Sequence, residues 1–130
     1  MKRLFAVVFV LLMVSISSNA LAGTSTFSCT FDTYSSPEGI EDAKDFAFTI
    51  LVDTITKKAV FVGNNGLTDV LYFKGLYGIT FLEKLFSGTV QSTSISLETG
   101  QAVHSRHSLI GTLLVPSQYY GKCSVPSASE

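Results

Sequence analysis

The chain has 130 residues, of which 46% are hydrophobic and 15% charged, with a formal net charge of −1 and two cysteines. This length suits one domain with its own core and leaves little room for a second. Phosphate binding calls for clustered Lys and Arg, which the chain lacks, so a nucleic-acid partner is not expected.

The first 22 residues predict a secretory signal peptide. Lys2 and Arg3 form a cationic start, residues 4–16 are almost uninterruptedly apolar, and Ala20-Leu21-Ala22 supplies the small residues of a cleavage site. The apolar run is shorter than the roughly 18 residues that a membrane-spanning helix needs. We therefore expect no transmembrane segment after signal removal, and a periplasmic or extracellular location. Cleavage would leave seven basic and ten acidic residues, a net charge of −3.

Cys29 and Cys123 predict one disulfide bond across nearly the whole mature chain. Exported proteins meet an oxidising environment, and two cysteines allow a single intramolecular pairing. The chain-entropy model gives such a long loop a stabilisation of about 4 to 5 kcal/mol. The sequence has no C-x-x-C pair and no histidines near either cysteine, so neither a redox-active dithiol nor a metal site is expected.

The start of the mature chain predicts two β-strands separated by a long loop. Phe27, Cys29 and Phe31 alternate with polar residues, which is typical of a half-buried strand. Residues 32–44 are polar and acidic and contain a proline and a glycine, so they predict the longest loop of the domain. A second strand follows, with apolar side chains at alternate positions from Phe46 to Val52.

The remainder predicts further short strands joined by tight turns. Gly63-Asn64-Asn65-Gly66 is a strong hairpin signal. Further strands are predicted over residues 59–62, 70–74, 79–84, 89–97, 102–110 and 117–123, and residues 112–115 either extend the strand before them or pair separately. We therefore expect a single all-β domain over residues 23–123, a small antiparallel meander or barrel of seven or eight strands, followed by a flexible tail over 124–130. A two-sheet sandwich is the alternative, but closure into a barrel would remove exposed edges.

The segment His104-Ser105-Arg106-His107 contains both histidines of the chain. Alternation along a strand sends the two histidines to opposite faces, so they do not converge on one metal ion. We expect Ser105 and His107 to face inward with Val103 and Leu109. His104 and Arg106 would then lie outside with Tyr120, as an aromatic and basic binding patch.

A small polar pocket is a second candidate site. Glu83 shares a face with the apolar residues of its strand, so its carboxylate should lean inward and need a partner, for which Arg106 or His107 is available. The other residues expected to line this pocket are Gln91, Thr93 and Tyr119, of which Tyr119 is the residue predicted to be buried. No G-x-S-x-G motif or carboxylate pair is recognisable, so we assign no catalytic residue and no cofactor.

Two segments resemble a group of small exported bacterial proteins of uncharacterised function. They are Ala102-Val103-His104-Ser105-Arg106-His107 and Pro116-Ser117-Gln118-Tyr119-Tyr120-Gly121-Lys122-Cys123, with Gly63-Asn64 and Thr80-Phe81 before them. The resemblance implies a shared fold and brings no activity with it. In layout the chain is also similar to periplasmic inhibitors of lysozyme, but Ser87-Gly88-Thr89-Val90-Gln91 departs from their Ser-Gly-x-x-Tyr signature.

These observations favour a non-enzymatic binding module of the periplasm or the extracellular space, with inhibition of an envelope or extracellular protein as one form of that role. The expected partner is a protein or a small ligand in the cell envelope, and the oligomeric state stays open. A lipocalin-like carrier of a small ligand is the alternative, although the phenylalanines should fill the interior. An enzyme using Glu83 and His107 is a third hypothesis.

Overall fold

In a computed structural model, which describes residues 23–64 and 66–127, the chain forms a closed antiparallel β-barrel of eight strands. The predicted signal over residues 1–22 and the last three residues of the predicted tail lie outside this description. Each strand pairs with the next along the chain, and the last pairs with the first. The strands are β1 (Thr24–Ser36), β2 (Gly39–Asp53), β3 (Lys58–Gly63), β4 (Gly66–Lys74), β5 (Gly78–Lys84), β6 (Val90–Ser96), β7 (Gln101–Ile110) and β8 (Leu113–Cys123).

The prediction of an all-β barrel is confirmed, and the sandwich alternative is wrong. The described part of the chain contains no helix that could cross a membrane. The predicted hairpin at Gly63 and Gly66 is also confirmed, because these two residues close the β3–β4 pairing.

Alternate residues of the strands fill the interior of the barrel, as the sequence pattern predicts. Thr93 and His104 are the buried polar residues of the described chain. The remaining buried side chains are apolar, and they are Phe27, Cys29, Phe31, Phe48, Ile50, Val52, Ala59, Val70, Ile79, Phe81, Ile95, Ala102 and Cys123.

The barrel closes where β8 meets β1. Cys29 lies directly opposite Cys123, and the predicted disulfide bond between them is confirmed. Two residues along, Gly121 lies opposite Phe31, and a Cβ atom at Gly121 would lie 2.0 Å from the carbonyl oxygen of Thr30. The two backbones therefore approach so closely that only glycine fits at this position.

The prediction of a loop over residues 32–44 is wrong, because most of this segment continues β1 and β2 as a paired hairpin. β1 and β2 pair from Thr33 opposite Asp42 to Ser36 opposite Gly39, beyond an irregularity in the register after Phe31. Both faces of this extension are polar or solvent-exposed, so it lacks the apolar alternation by which strands are recognised. Asp45, with a φ of 52°, lies where the register changes.

Residues 124–127 follow β8 without regular secondary structure but contact the barrel. The backbone N–H of Ser124 donates to the carbonyl oxygen of Ser28, and the Ser28 N–H donates to the Ser124 hydroxyl. Val125 is partly buried against the core. The first residues after the disulfide therefore continue the packing of one end of the barrel.

We expect Gly121→Ala to lower the free energy of unfolding by about 3 kcal/mol, because β1 and β8 would have to separate to admit the methyl group. Gly75→Ala is the matched control, since its Cβ would meet nothing closer than 3.7 Å, and its effect should stay within about 1 kcal/mol. Urea unfolding of the oxidised proteins measures both. Equal stability of the two variants would contradict the close approach at Gly121.

Candidate functional site

The residues of the predicted binding patch do not share one surface. His104 and Arg106 lie on the inner face of β7, whereas Tyr120 lies on the outer wall and is 37% exposed. His104 is only 2% exposed. The patch of His104, Arg106 and Tyr120 is therefore wrong as a surface, because its histidine is inside the barrel.

The facing predicted for β7 is reversed in the structure. Ala102 and His104 are buried, while His107 is exposed on the outer side. The reason is the pairing with β8: Ala102 lies opposite Gly121, on the same side as the disulfide. The apolar residues Val103 and Leu109 lie at alternate positions with Ser105 and His107, which is why the sequence predicts that their face is the inner one. The small residue Ala102, close in sequence to a polar His, was the signal that could have indicated the inner face.

Three residues of the predicted polar pocket come together inside the barrel, with His104 in the place expected for His107. The Thr93 Oγ1 lies 2.8 Å from the His104 Nδ1, and the His104 Nε2 lies 3.2 Å from the Gln91 Oε1. The Gln91 Nε2 donates to the Glu83 Oε2 at 3.0 Å. The fifth predicted member, Tyr119, has its ring centre 6.0 Å from the His104 ring and no hydrogen bond to it.

The partners of His104 fix its tautomer. An amide oxygen can only accept, so the Nε2 of His104 must carry the proton that it donates to Gln91. The Nδ1 then accepts from the hydroxyl of Thr93. All these bonds point in one direction, from Thr93 through His104 and Gln91 to the carboxylate of Glu83, and they are satisfied by a neutral imidazole.

The surroundings of His104 also favour its neutral form. The rings of Phe31, Phe46, Phe48 and Tyr119 lie with their centres within 6.0 Å of the imidazole. Burial, with a smaller effect of the positive charge on Arg106, lowers the pKa of His104 to about 4. Burial raises the pKa of Glu83 above its usual range, and the hydrogen bond from Gln91 partly opposes this.

The space beside this cluster is small. The cavity beside Glu83, Gln91 and His104 has a volume of about 10 Å³, which is about the space of one water molecule. Glu83 bonds to Gln91 and not to His107, which lies on the outer side opposite Pro116. The pair proposed for an enzyme is therefore not assembled.

Arg106 lies at the mouth of the barrel, above the buried cluster. Its guanidinium carbon is 5.7 Å from the centre of the Tyr119 ring, a cation–π distance. Tyr119 in turn stacks on Tyr34 and packs against Phe46. These aromatic rings cover His104 from the mouth of the barrel.

A surface that the sequence did not reveal lies at one end of the barrel. The β1–β2, β3–β4, β5–β6 and β7–β8 hairpins all turn at this end, which we call the hairpin end. Among the described residues, fourteen large hydrophobic side chains are exposed, and eight of them lie here, against four (Ile55, Phe73, Leu76 and Tyr77) at the opposite end. The eight are Ile40, Leu67, Phe86, Val90, Leu109, Ile110, Leu113 and Leu114.

The β7–β8 hairpin projects furthest from the barrel wall. The pairing of β6 with β7 ends at Gln91 opposite Arg106, and that of β1 with β8 ends at Ser35 opposite Gln118. In the described chain, residues 107–110 and 113–116 therefore pair only with each other. We call residues 107–116 the ribbon. At its tip Ile110 and Leu113 are 67% and 66% exposed.

Among the described residues, no three His, Cys, Asp or Glu side chains lie close enough together to hold a metal ion. No protein-family model matches the chain, and no match was found among curated proteins or solved structures.

The buried His104 predicts a loss of stability in mild acid. A pKa of about 4 in the folded chain, against 6.5 for the free side chain, means that the unfolded chain binds a proton first as the pH falls. The stabilisation is complete above about pH 6.5 and is lost on the way down to pH 4. We expect the free energy of unfolding to fall by about 2.5 kcal/mol from this residue between pH 7.5 and 4.5.

Urea unfolding at these two pH values checks this prediction. His104→Gln should remove that part of the pH dependence, because a glutamine does not titrate. His107→Gln is the control and should behave as the unchanged protein does. The same pH dependence in the His104 variant and in the unchanged protein would contradict a neutral buried imidazole.

Proposed function

We propose that this protein is a non-enzymatic, exported binding module that contacts its partner with the hairpin end of the barrel. The observation that carries the proposal is the concentration of exposed apolar side chains on the hairpins of one end. Isolated apolar residues are common on protein surfaces, whereas a cluster on neighbouring turns is typical of an interaction site. A rigid barrel that holds variable turns at one end is a common arrangement for recognition.

The disulfide bond supports the export part of the proposal. Cys29 and Cys123 are joined, and such bonds persist in oxidising compartments outside the cytosol. The described chain has no free cysteine. We infer a periplasmic or extracellular site of action.

The packed interior favours binding at the outside over carriage of a ligand within. Phenylalanine rings from four strands meet in the barrel, among them Phe27, Phe48, Phe61 and Phe81. Carriers of small ligands need internal cavities of several hundred Å³, and the cavity next to His104 has about 10 Å³. A pocket of about 370 Å³, lined by Phe27, Val52 and Ile79 among others, opens at the opposite end of the barrel, so a lipocalin-like carrier stays the alternative.

Site-specific photo-crosslinking in the cells that produce the chain tests the proposal. A photoreactive amino acid replaces Leu114 in the ribbon, and in a second protein it replaces Leu76, which is exposed in the β4–β5 turn at the opposite end. We expect light-dependent adducts with a protein at position 114 and far weaker ones at position 76, because the hairpin end carries more of the exposed large apolar side chains than the opposite end does.

Substitutions within the same experiment give the energetic test. Ile110→Ser with Leu113→Ser should reduce the adduct at position 114 about tenfold or more, since apolar anchors dominate such interfaces. Leu76→Ser with Tyr77→Ser is the matched control and should leave the yield unchanged. Equal yields at both ends of the barrel, or no protein adduct at the ribbon, would contradict the proposed function.

A further inference from the structure

The β1–β2 hairpin is the most acidic part of the chain. Residues 32–45 contain five of the ten carboxylates of the sequence, with Lys44 as their one basic residue, so this segment carries a net charge of −4. Glu38 lies in the turn, and Asp42 lies on the strand beside it, both exposed. The acidic hairpin therefore places a local negative charge on one side of the hairpin end.

The acidic hairpin lies directly beside the ribbon. Ser35 of β1 pairs with Gln118 of β8, and its hydroxyl is 3.0 Å from the phenol oxygen of Tyr120. A groove of about 340 Å³ separates the two hairpins, with Pro37 on the acidic side and His107 and Pro116 on the side of the ribbon. A partner that touches the ribbon is therefore within reach of the carboxylates.

The ribbon is apolar on both of its faces. Ile110 lies opposite Leu113, and Leu109 lies opposite Leu114. Residues that are directly opposite share a face, and neighbouring residues of a strand point to opposite faces. One leucine pair thus faces one way and the Ile110–Leu113 pair the other way. A flat partner surface would cover only one of the two pairs, whereas a cleft would cover both.

We propose that the partner is a basic protein with an apolar cleft, into which the ribbon inserts while the acidic hairpin lies against a positively charged rim. This inference rests on the proposed function and adds the chemistry of the partner to it. A second copy of this chain docked by the same end would bring two segments of charge −4 together, and an anionic lipid surface would meet the same repulsion. A cationic protein gains from these charges.

The experiment uses the full chain with the photoreactive amino acid at Leu114, expressed in the cells that produce it. Glu38→Lys with Asp42→Lys reverses two charges beside the ribbon. Asp69→Lys with Glu98→Lys makes the same change in total charge at two exposed positions outside the acidic hairpin, one on β4 and one in the β6–β7 turn. Adducts are identified by mass spectrometry, and thermal unfolding checks that each variant is folded.

We expect one predominant adduct with a basic protein, cross-linked at residues that line a cleft. Its yield should fall about tenfold with the charge reversal beside the ribbon, and the control variant should keep it. An adduct with an acidic protein, with lipid or with a second copy of the chain overturns the inference. A protein adduct indifferent to the reversal at Glu38 and Asp42 does so too, while leaving the proposed function standing. The absence of any protein adduct at the ribbon removes both.

Discussion

β1 and β8 meet along a seam where Cys29 lies opposite Cys123 and Phe31 lies opposite Gly121. Closure of the barrel at this seam pairs the first and last strands of the domain, which would otherwise be exposed edges open to association with other chains. The disulfide bond keeps the two strands together in the unfolded chain as well, and the missing side chain of Gly121 lets their backbones approach. The remaining strand pairs all join neighbours in the sequence, so in the described chain this seam, with the Ser28–Ser124 hydrogen bonds beside it, joins the two ends of the domain.

Closure also determines the interior, and through it the place where the protein can act. A barrel of eight strands encloses enough space for its own side chains or for one small ligand. Here phenylalanines and the hydrogen-bonded cluster from Thr93 to Glu83 fill the part around His104, and a pocket of about 370 Å³ lies at the opposite end. The cluster satisfies His104, which would otherwise be a costly buried polar group. In the proposed function, the turns and the ribbon of the hairpin end are the parts that contact the partner. The exposed apolar side chains at the hairpin end agree with this division between a packed scaffold and a binding end.

The sequence predicts those features that depend on the alternation of apolar and polar residues within one strand or on the number of cysteines. The alternation of Phe27, Cys29 and Phe31 with polar residues predicts a strand with one inward face. Two cysteines allow one intramolecular disulfide bond, and a bond between the first and last strands favours a closed barrel. The sequence does not predict the paired extension after Phe31, because a hairpin whose two faces are polar or exposed has no apolar alternation. The facing of β7 was missed because it depends on its register with β8, a long-range property that places Ala102 opposite Gly121. For the same reason Glu83, Gln91 and Thr93 were grouped with His107, although the histidine that joins them is His104. The ribbon surface depends on where the flanking pairings end, which no single segment reveals.

Native-state hydrogen exchange of the oxidised protein, measured by NMR for the amides of β1 and β8, tests the closed barrel most directly. If the seam is closed, the hydrogen-bonded amides between Cys29 and Phe31 and between Gly121 and Cys123 should exchange only when the whole domain unfolds, as slowly as those of the interior strands. Cross-strand contacts between Cys29 and Cys123 should appear in the same spectra. Rapid exchange along both strands, at the rate expected for exposed sheet edges, would show an open sheet and contradict the account.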